Sequence, residues 1–301
     1  MPKPFETIAI DPQQTVGDEA LGTKTKFWIE LEGQYWLFKE ARFNTGEDWS
    51  EKLAAEIAHL LSIPAAQVEL AICGGRPGTL SKSFVNRHQG EELIHGNEVL
   101  AGQVRDYQTN QRWGQSNHTV ENITKAIRSL FPDATEATVA LNQLASYLIL
   151  DGLIGNTDRH HENWAVLARW DHSTDQRKLS YTIAPSFDHA SSLGRELQND
   201  KIDQLLKEPS ALVRYVNKGR GAIYLHPSDA KGQNPLYLAE RGLKEYPEYF
   251  ATAIQCLNHA GIDDILALVE RLPGERINPN QVKFVQSFLH YTYTYLCKLK
   301  P

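Results

Sequence analysis

The chain has 301 residues, of which 41% are hydrophobic, 23% charged and 9% aromatic, and its formal net charge is −6. These values are typical of a globular protein with a sizeable core and exclude a disordered or fibrous chain. The mild acidity argues against nonspecific nucleic-acid binding, which depends on a basic surface.

The three cysteines, Cys73, Cys256 and Cys297, are too far apart to form a CxxC pair. The sequence therefore predicts neither a disulfide framework nor a zinc site, and it fits a reducing cytoplasm. The first residues lack the apolar stretch of a signal peptide. The most apolar run, 144–154, is too short to span a bilayer and contains Asp151. We expect a cytoplasmic protein that binds neither membranes nor, directly, nucleic acids.

The first hundred residues predict β-structure. Apolar residues alternate over 27–31, a Gly-containing turn follows at 32–34, and 35–39 continues as an extended run, which together indicate a β-hairpin. Two more strands are expected at 68–73 and 78–85, around another turn rich in glycine.

Helical patterns come next. Thr45 and Asp48 match a capping box, and the apolar residues that follow lie on one helical face until Pro64 ends the helix. Beyond residue 90 helical periodicity dominates. Further helices are expected at 120–130, 135–151, 247–260, 263–272 and 279–299, and further strands at 164–167 and 179–183.

A β-rich beginning and a helical remainder predict an α+β chain with two lobes. We expect a small β-rich N-lobe over residues 1–88 and a larger helical C-lobe over 89–301, with the seam near residues 84–92. The segment 135–151 is apolar on nearly all sides, which is typical of a helix in the interior of a large domain.

The most informative stretch is 155–163, GNTDRHHEN, which directly follows that apolar helix. A second polar site, 184–190 or APSFDHA, follows the two strands expected after it. A hairpin between the two sites would hold Asp158, Asn163 and Asp188 together. A carboxylate that takes a hydroxyl proton, with an amide and a carboxylate that hold Mg²⁺, suits phosphoryl transfer.

Phosphoryl transfer also needs cationic and backbone contacts to the phosphates. Lys39 ends a predicted strand, and Glu51 on the following helix is its expected ion-pair partner, with Glu47 as the rival. Upstream, 21–26 or LGTKTK precedes the first clear strand and would fold over phosphates through its backbone N–H groups and Lys26.

These residues carry a family resemblance. The stretch 155–163 resembles the GN-x-DRH-x-x-N catalytic loop of HipA-like serine/threonine kinases, and 184–188 resembles the metal-binding segment of that family. The resemblance extends through Glu51 and Lys39 to the phosphate loop and covers roughly residues 15–195. The family is related to the phosphoinositide-3/4-kinase branch of the kinase fold, so the resemblance implies a two-lobed protein-kinase-like fold.

Position by position, the resemblance implies that Asp158 is the catalytic base and that Asn163 and Asp188 hold Mg²⁺. It places Lys39 on the phosphates of ATP with Glu51 as its partner. The other residues it assigns to the nucleotide site are Gly22, Thr23, Lys24, Thr25 and Lys26 in the phosphate loop, His160 in the catalytic loop, and Ser83, Phe84, Val85 and Asn86 at the adenine.

The resemblance implies an ATP- and magnesium-dependent serine/threonine kinase that acts on an intracellular protein. The best-known members are bacterial toxins that phosphorylate aminoacyl-tRNA synthetases and a serine in their own phosphate loop. Here that loop lacks serine, so Thr23 or Thr25 would receive the phosphate. About fifteen residues precede the loop, where full-length members carry an additional subdomain. We therefore expect a core-only member whose missing subdomain or antitoxin is a separate protein.

Two other function classes stay open at this point. One is a kinase for a small molecule or a phosphoinositide, and the other is a catalytically silent kinase fold that serves as a binding protein or corepressor.

The roles of several neighbouring side chains also stay open. Arg159 is either an organiser of the loop or a phosphate contact. For His160 and His161 we expect one structural and one exposed histidine rather than a metal site. The pair Ser191 and Ser192 caps a helix or has a role towards the substrate.

Overall fold

The computed structural model describes residues 2–18, 25–171 and 178–300. The predictions for Gly22, Thr23 and Lys24 in the phosphate loop lie outside these ranges, whereas Thr25 and Lys26 lie inside them.

Within the described residues, six strands of the N-terminal part form one sheet in the order β1-β5-β6-β4-β3-β2. Neighbours are antiparallel except for β1 and β5, which are parallel. The strands are β1 (Thr7–Ile10), β2 (Thr15–Asp18), β3 (Lys26–Leu31), β4 (Gln34–Glu40), β5 (Val68–Cys73) and β6 (Arg76–Lys82). The predicted hairpin is confirmed as β3 and β4, and the next two predicted strands are β5 and β6.

Helix α1 (Glu47–Leu60) packs against one face of this sheet. The predicted capping box is wrong: the N-cap is Gly46, which makes no side-chain cap, and the Thr45 hydroxyl donates to the Arg42 carbonyl instead (2.8 Å). A Cβ at Gly46 would overlap the Trp49 ring, so the buried tryptophan selects glycine there. Packing therefore overrides the capping preference of Thr45.

The C-terminal part is mainly helical. A second sheet of the described chain has the order β7-β8-β9 and is antiparallel throughout. Its strands are β7 (Glu91–His95), β8 (Ala165–Asp171) and β9 (Lys178–Ile183). The helices are α2 (Gly96–Ala101), α3 (Val120–Leu130), α4 (Ala134–Ile154), α5 (Asn199–Lys207), α6 (Pro209–Lys218), α7 (Pro235–Glu245), α8 (Pro247–Ala260), α9 (Ile262–Val269) and α10 (Pro279–Cys297).

Helix α4 is the core of this part and packs against α3, α7, α8 and α10. It is long and apolar enough to cross a membrane, but 72% of its most apolar 18-residue window is buried inside the protein. The predicted interior helix is thereby confirmed, and its apolar surface is explained by the helices that cover it.

Backbone and side-chain hydrogen bonds join the two parts. The Ala66 N–H donates to the Ser186 carbonyl and the Ser186 N–H to the Pro64 carbonyl, each at 2.9 Å. At the N-terminal end of α1, the Arg276 guanidinium pairs with buried Asp48 at 2.9 Å. The predicted α+β architecture of two lobes is confirmed, and α1 is tied to the segment that carries Asp188.

Candidate active site

The loop after α4 begins at a glycine that the packing requires. Gly155 has a φ of +66°, and a Cβ there would lie 2.5 Å from the Phe288 ring. The next residue, Asn156, bridges the helix and the loop, because its Nδ2 donates to Asp151 Oδ1 (2.9 Å) and its Oδ1 accepts from the Asp158 N–H (3.0 Å). The Gly-Asn pair therefore fixes the backbone that carries Asp158.

Arg159 is an organiser of this loop. Its Nε and Nη2 donate to the two carboxylate oxygens of Asp151, each at 2.8 Å. It also donates to the Asn163 carbonyl (2.7 Å), the Ser186 hydroxyl (3.0 Å) and the Phe187 carbonyl (3.4 Å). Because the guanidinium is 4% exposed and engaged on all sides, it joins α4, the loop and the Asp188 segment rather than facing the cavity.

Asp158 and Asn163 face a cavity of about 200 Å³ between the lobes. The Asn163 Nδ2 donates to the Asp158 backbone carbonyl (2.7 Å), which leaves the amide oxygen of Asn163 as the atom able to accept or to ligate. The Asp158 carboxylate accepts a hydrogen bond from the Ser191 hydroxyl (3.3 Å). The loop thus presents one carboxylate and one amide oxygen to the same space.

Asp188 and Lys39 reach this cavity from other elements. The Lys39 ammonium at the end of β4 lies 2.5 Å from Asp188 Oδ1. Asp188 has a φ of +61°, in the left-handed region that Asp tolerates better than most residues. The structure therefore brings Asp158, Asn163, Asp188 and Lys39 together around one cavity.

A second lysine stands beside the first. Lys26 on β3 is the direct cross-strand partner of Lys39 on β4, and both line the cavity. Like charges directly opposite each other on one face of a sheet repel. Asp188 offsets part of this charge, and an anionic group such as a phosphate would offset the rest.

Glu51 also lines the cavity, but it does not pair with Lys39 as predicted. Among the described ion pairs, that of Lys39 is with Asp188, and the buried Glu51 carboxylate lies 3.6 Å from Nδ1 of buried His189. Burial raises the pKa of Glu51, but His189 and the charge of Lys39 more than offset this, so the pKa is lowered. The rival carboxylate of Glu47 bonds to Arg42 and Arg195.

Both loop histidines are buried, so the predicted exposed histidine is wrong. His160 is 8% exposed and His161 is 1% exposed, and the latter has its Nδ1 2.9 Å from the Tyr107 hydroxyl. The Glu162 N–H donates to Nδ1 of His160, so the neutral ring carries its proton on Nε2, 4.0 Å from Asp158 Oδ1. In the described ranges no three His, Cys, Asp or Glu side chains converge to hold a metal.

The segment expected at the adenine lines a neighbouring cavity of about 990 Å³. Residues 83–86 form one wall and Trp28 another. Trp28 and Lys26 are two apart on β3 and therefore share a face, so this cavity adjoins the one that holds the lysine. The Phe84 ring lies 5.6 Å from the ring of Phe187, which precedes Asp188, so the lining of this cavity contacts the segment 184–190.

Several residues at the site were not predicted from the sequence, among them Arg112 and His189. Arg112 lines the first cavity and pairs with Glu162 (2.6 Å), but it comes from a long polar loop without a periodic pattern. His189 joins Glu51 to the Ser186 hydroxyl (2.7 Å), and its position beside Asp188 was the one available signal.

The buried histidines predict a pH dependence of stability. His118 donates from Nδ1 to the Ala222 carbonyl and accepts from Trp164 Nε1, each at 3.0 Å, so it is neutral. Burial lowers the pKa of His118 to about 3 and that of His160 to about 4, from 6.5. The unfolded chain therefore binds more protons below pH 6.5, and the free energy of unfolding falls as the pH drops from 6.5 towards 4, by up to ~1.4 kcal/mol per pH unit for each histidine.

Urea unfolding between pH 7.5 and pH 4.5 measures this slope. It should become shallower in His118→Asn and stay unchanged in the control His290→Asn, because His290 is exposed. An unchanged slope in His118→Asn would refute the assignment of His118 as a buried neutral histidine.

The fold and the cleft are of the kinase-like fold class: in the part of the chain that the structure describes, a small lobe with a six-stranded sheet and helix α1 faces a larger helical lobe across a polar cavity. The chain belongs to the HipA-like C-terminal domain family, whose model matches residues 19–217. This confirms the family that the motifs predicted. Among curated protein sequences, none matches the chain significantly.

Solved structures share the fold. The proinflammatory kinase CtkA of Helicobacter pylori superposes with a TM-score of 0.75 over 99% of this chain and 96% of its own, at 17% identity. HipA of Shewanella oneidensis MR-1, solved as a toxin–antitoxin complex with HipB and operator DNA, has a TM-score of 0.57 at 11% identity. That match covers 94% of this chain and 64% of the HipA chain. At these identities the likeness is one of fold.

Proposed function

We propose that this protein is an ATP- and Mg²⁺-dependent kinase that transfers the γ-phosphoryl group to a serine or threonine hydroxyl of a protein. The observation that carries the proposal is the single cavity shared by Asp158, Asn163, Asp188 and Lys39, four residues from three separate segments of the chain. Membership of the HipA-like family supports it. We place the lobe boundary at residues 88 and 89, between β6 and β7.

Asp158 has the position and the environment of a general base. Its carboxylate already accepts a hydrogen bond from a serine hydroxyl, that of Ser191, so a substrate hydroxyl can approach it in the same way. The backbone of Asp158 is held from both sides, by Asn156 through its N–H and by Asn163 through its carbonyl. The base therefore stays in place as it takes the proton.

The lysines bind and orient the phosphates. Lys39 and Lys26 lie side by side on one face of the sheet, and both point their charge into the cavity that Asp158 faces. Two ammonium groups next to each other stabilise an anion that carries several charges. The segment 83–86 and Trp28 would enclose the adenine and ribose in the adjoining cavity, with His160 beside the phosphates.

The oxygen donors at the site fit a magnesium ion. The amide of Asn163 is oriented by its bond to the Asp158 carbonyl so that Oδ1 remains as a ligand, and the Asp188 carboxylate lines the same cavity. Two protein oxygens suffice because Mg²⁺ in such sites takes its other ligands from phosphates and water. When bound, the ion would neutralise charge on the phosphate oxygens.

The direct test is incubation of the purified protein and a cell extract with γ-labelled ATP and MgCl₂, followed by phosphopeptide mapping. We expect label on serine or threonine of proteins. Label in a small molecule or a phosphoinositide would support the alternative substrate classes instead. Thermal stabilisation by ATP and Mg²⁺ without any transfer would identify a catalytically silent binding protein or corepressor.

The partner proposal is supported by the fold neighbours. HipA from S. oneidensis was solved in complex with HipB and its operator DNA. We infer that a separate antitoxin, or a small protein equivalent to the additional subdomain, binds this chain in the cytoplasm. An aminoacyl-tRNA synthetase is the substrate that the family suggests. Growth arrest on expression, lost in Asp188→Ala, tests the toxin role.

Asp188→Asn is predicted to remove the magnesium-dependent part of nucleotide binding. ATP with Mg²⁺ should raise the melting temperature of the parent protein well above the value with ATP and EDTA, because a ligand that binds only the folded state stabilises it. In Asp188→Asn the two values should coincide. The control Asp106→Asn, at an exposed position, should behave as the parent. A full magnesium effect in Asp188→Asn would contradict the assignment.

A further inference from the structure

The hydroxyl group of Ser191 contacts Asp158, the proposed base. Ser191 lies three residues after Asp188, and its Oγ donates to Asp158 Oδ2 at 3.3 Å. It lines the same cavity as Lys39 and Asn163 and is partly exposed there. A hydrogen bond to the base is the contact that an acceptor hydroxyl must make, and such bonds are often long until the nucleotide is bound.

The segment around Ser191 is anchored, so this placement is built into the fold. The Ser191 carbonyl accepts from the Thr157 N–H of the catalytic loop (3.3 Å). Two residues on, the Leu193 N–H donates to the Ile154 carbonyl at the end of α4 (2.9 Å). The Ser192 carbonyl accepts from the Ser50 hydroxyl on α1 (3.0 Å), which ties the segment to the other lobe.

The neighbouring serine provides an internal comparison. Ser192 is 2% exposed, its hydroxyl makes no hydrogen bond within the described residues, and it does not line the cavity of Asp158. Thr25 of the phosphate loop is exposed. Geometry therefore singles out Ser191 from its neighbour, although the sequence shows the two serines as an equivalent pair.

We infer that Ser191 is an internal phosphate acceptor that the enzyme phosphorylates in cis, an inference that rests on the proposed kinase activity. In this reaction Ser191 Oγ forms a bond to the γ-phosphorus of ATP, and the bond from that phosphorus to the bridging oxygen breaks. ADP leaves, and the hydroxyl proton passes to Asp158. The products are phosphoserine, ADP and one proton, so no further reactant is needed.

Phosphorylation at this position would limit the activity of the enzyme. Phosphoserine carries about −1.5 to −2 charges at neutral pH and no longer donates a proton to the base. The new group would stand beside the carboxylates of Asp158 and Asp188 in the place of a substrate hydroxyl. The cations that line the cavity, among them Arg112 and Arg195, would hold it there.

The test is mass-spectrometric site mapping of the purified full chain after incubation with ATP and MgCl₂. We expect phosphate on Ser191 that approaches one group per molecule, at a rate unchanged by ten-fold dilution, as a cis reaction requires. Tagged Asp158→Asn mixed with the parent should stay unmodified at Ser191. The matched control Ser192→Ala should still acquire the phosphate at Ser191.

Three outcomes would overturn the inference. Label on extract proteins without phosphate on Ser191 would refute it and leave the proposed function standing. Phosphate on Ser191 of the Asp158→Asn chain would show a trans reaction and refute the cis acceptor. Absence of transfer to any acceptor, including the chain itself, would refute the proposed function together with this inference.

Discussion

Asp158→Asn is expected to lower the turnover of phosphate transfer by ~10²–10⁴-fold, the range that a positioned acid–base group contributes. Asparagine keeps the shape of the side chain but cannot take the proton of the acceptor hydroxyl. The measurement is the initial rate of transfer from γ-labelled ATP at saturating ATP and Mg²⁺.

Two controls accompany this experiment. The melting temperature of Asp158→Asn and its stabilisation by ATP with Mg²⁺ should match those of the parent, because the backbone of Asp158 is held through its N–H and carbonyl and the asparagine oxygen can still accept the bond from Ser191. Asp264→Asn, at an exposed position of α9, should keep the full rate. A folded Asp158→Asn protein that transfers phosphate as fast as the parent would exclude Asp158 as the base.

Arg159→Met is expected to have the largest effect on stability, a loss of about 3–5 kcal/mol in the free energy of unfolding. The substitution leaves the carboxylate of Asp151, 3% exposed, without the guanidinium that pairs with both of its oxygens. It also removes the donors to the Asn163 carbonyl and the Ser186 hydroxyl. Urea unfolding at pH 7 measures the change.

The matched control is Arg214→Met, which removes the arginine of an ion pair with Glu208. The Arg214 side chain is 66% exposed, so the free energy of unfolding should change by less than about 0.5 kcal/mol. The double variant Arg159→Met/Asp151→Leu should recover part of the loss, because it no longer buries an unpaired charge. A single variant as stable as the parent would show that the buried pair is not what holds the loop 155–163 to α4.

The sequence predicted the elements whose periodicity is strong. The hairpin of β3 and β4 was predicted from the alternation of apolar and polar residues. The interior helix α4 was predicted from apolar residues on nearly all of its sides. Helices α5 and α6 were not predicted, since each buries only two residues, Ile202 with Leu205 and Leu212 with Val216. Such short amphipathic segments depend on the surface that covers them, which a sequence does not show.

The start of α1 illustrates the same limit at one residue. Thr45 and Asp48 have the right types and spacing for a capping box, but the ring of Trp49 occupies the space beside Gly46 and shifts the N-cap by one position. The residue pattern was enough to predict that a helix forms here. Where the helix begins depends on the tertiary packing of Trp49.

Part of the candidate site could be predicted from the sequence and part could not. Asp158, Asn163 and Asp188 could be placed together because the strands between them predicted a hairpin, now seen as β8 and β9. The ion-pair partner of Lys39 could not be predicted. Glu51 is close to Lys39 in the sequence, but the residues that contact these two side chains, Asp188 and His189, come from a distant segment. Ion pairs between distant segments depend on how the two lobes pack, and no spacing encodes them.

The most direct test of the central claim is a crystal structure of the protein with a non-hydrolysable ATP analogue and Mg²⁺. The structure described here predicts the phosphates at Lys39 and Lys26, the metal on Asn163 Oδ1 and the Asp188 carboxylate, and the adenine against residues 83–86. A nucleotide bound outside this cleft, or inside it with its metal remote from both Asn163 and Asp188, would contradict the account.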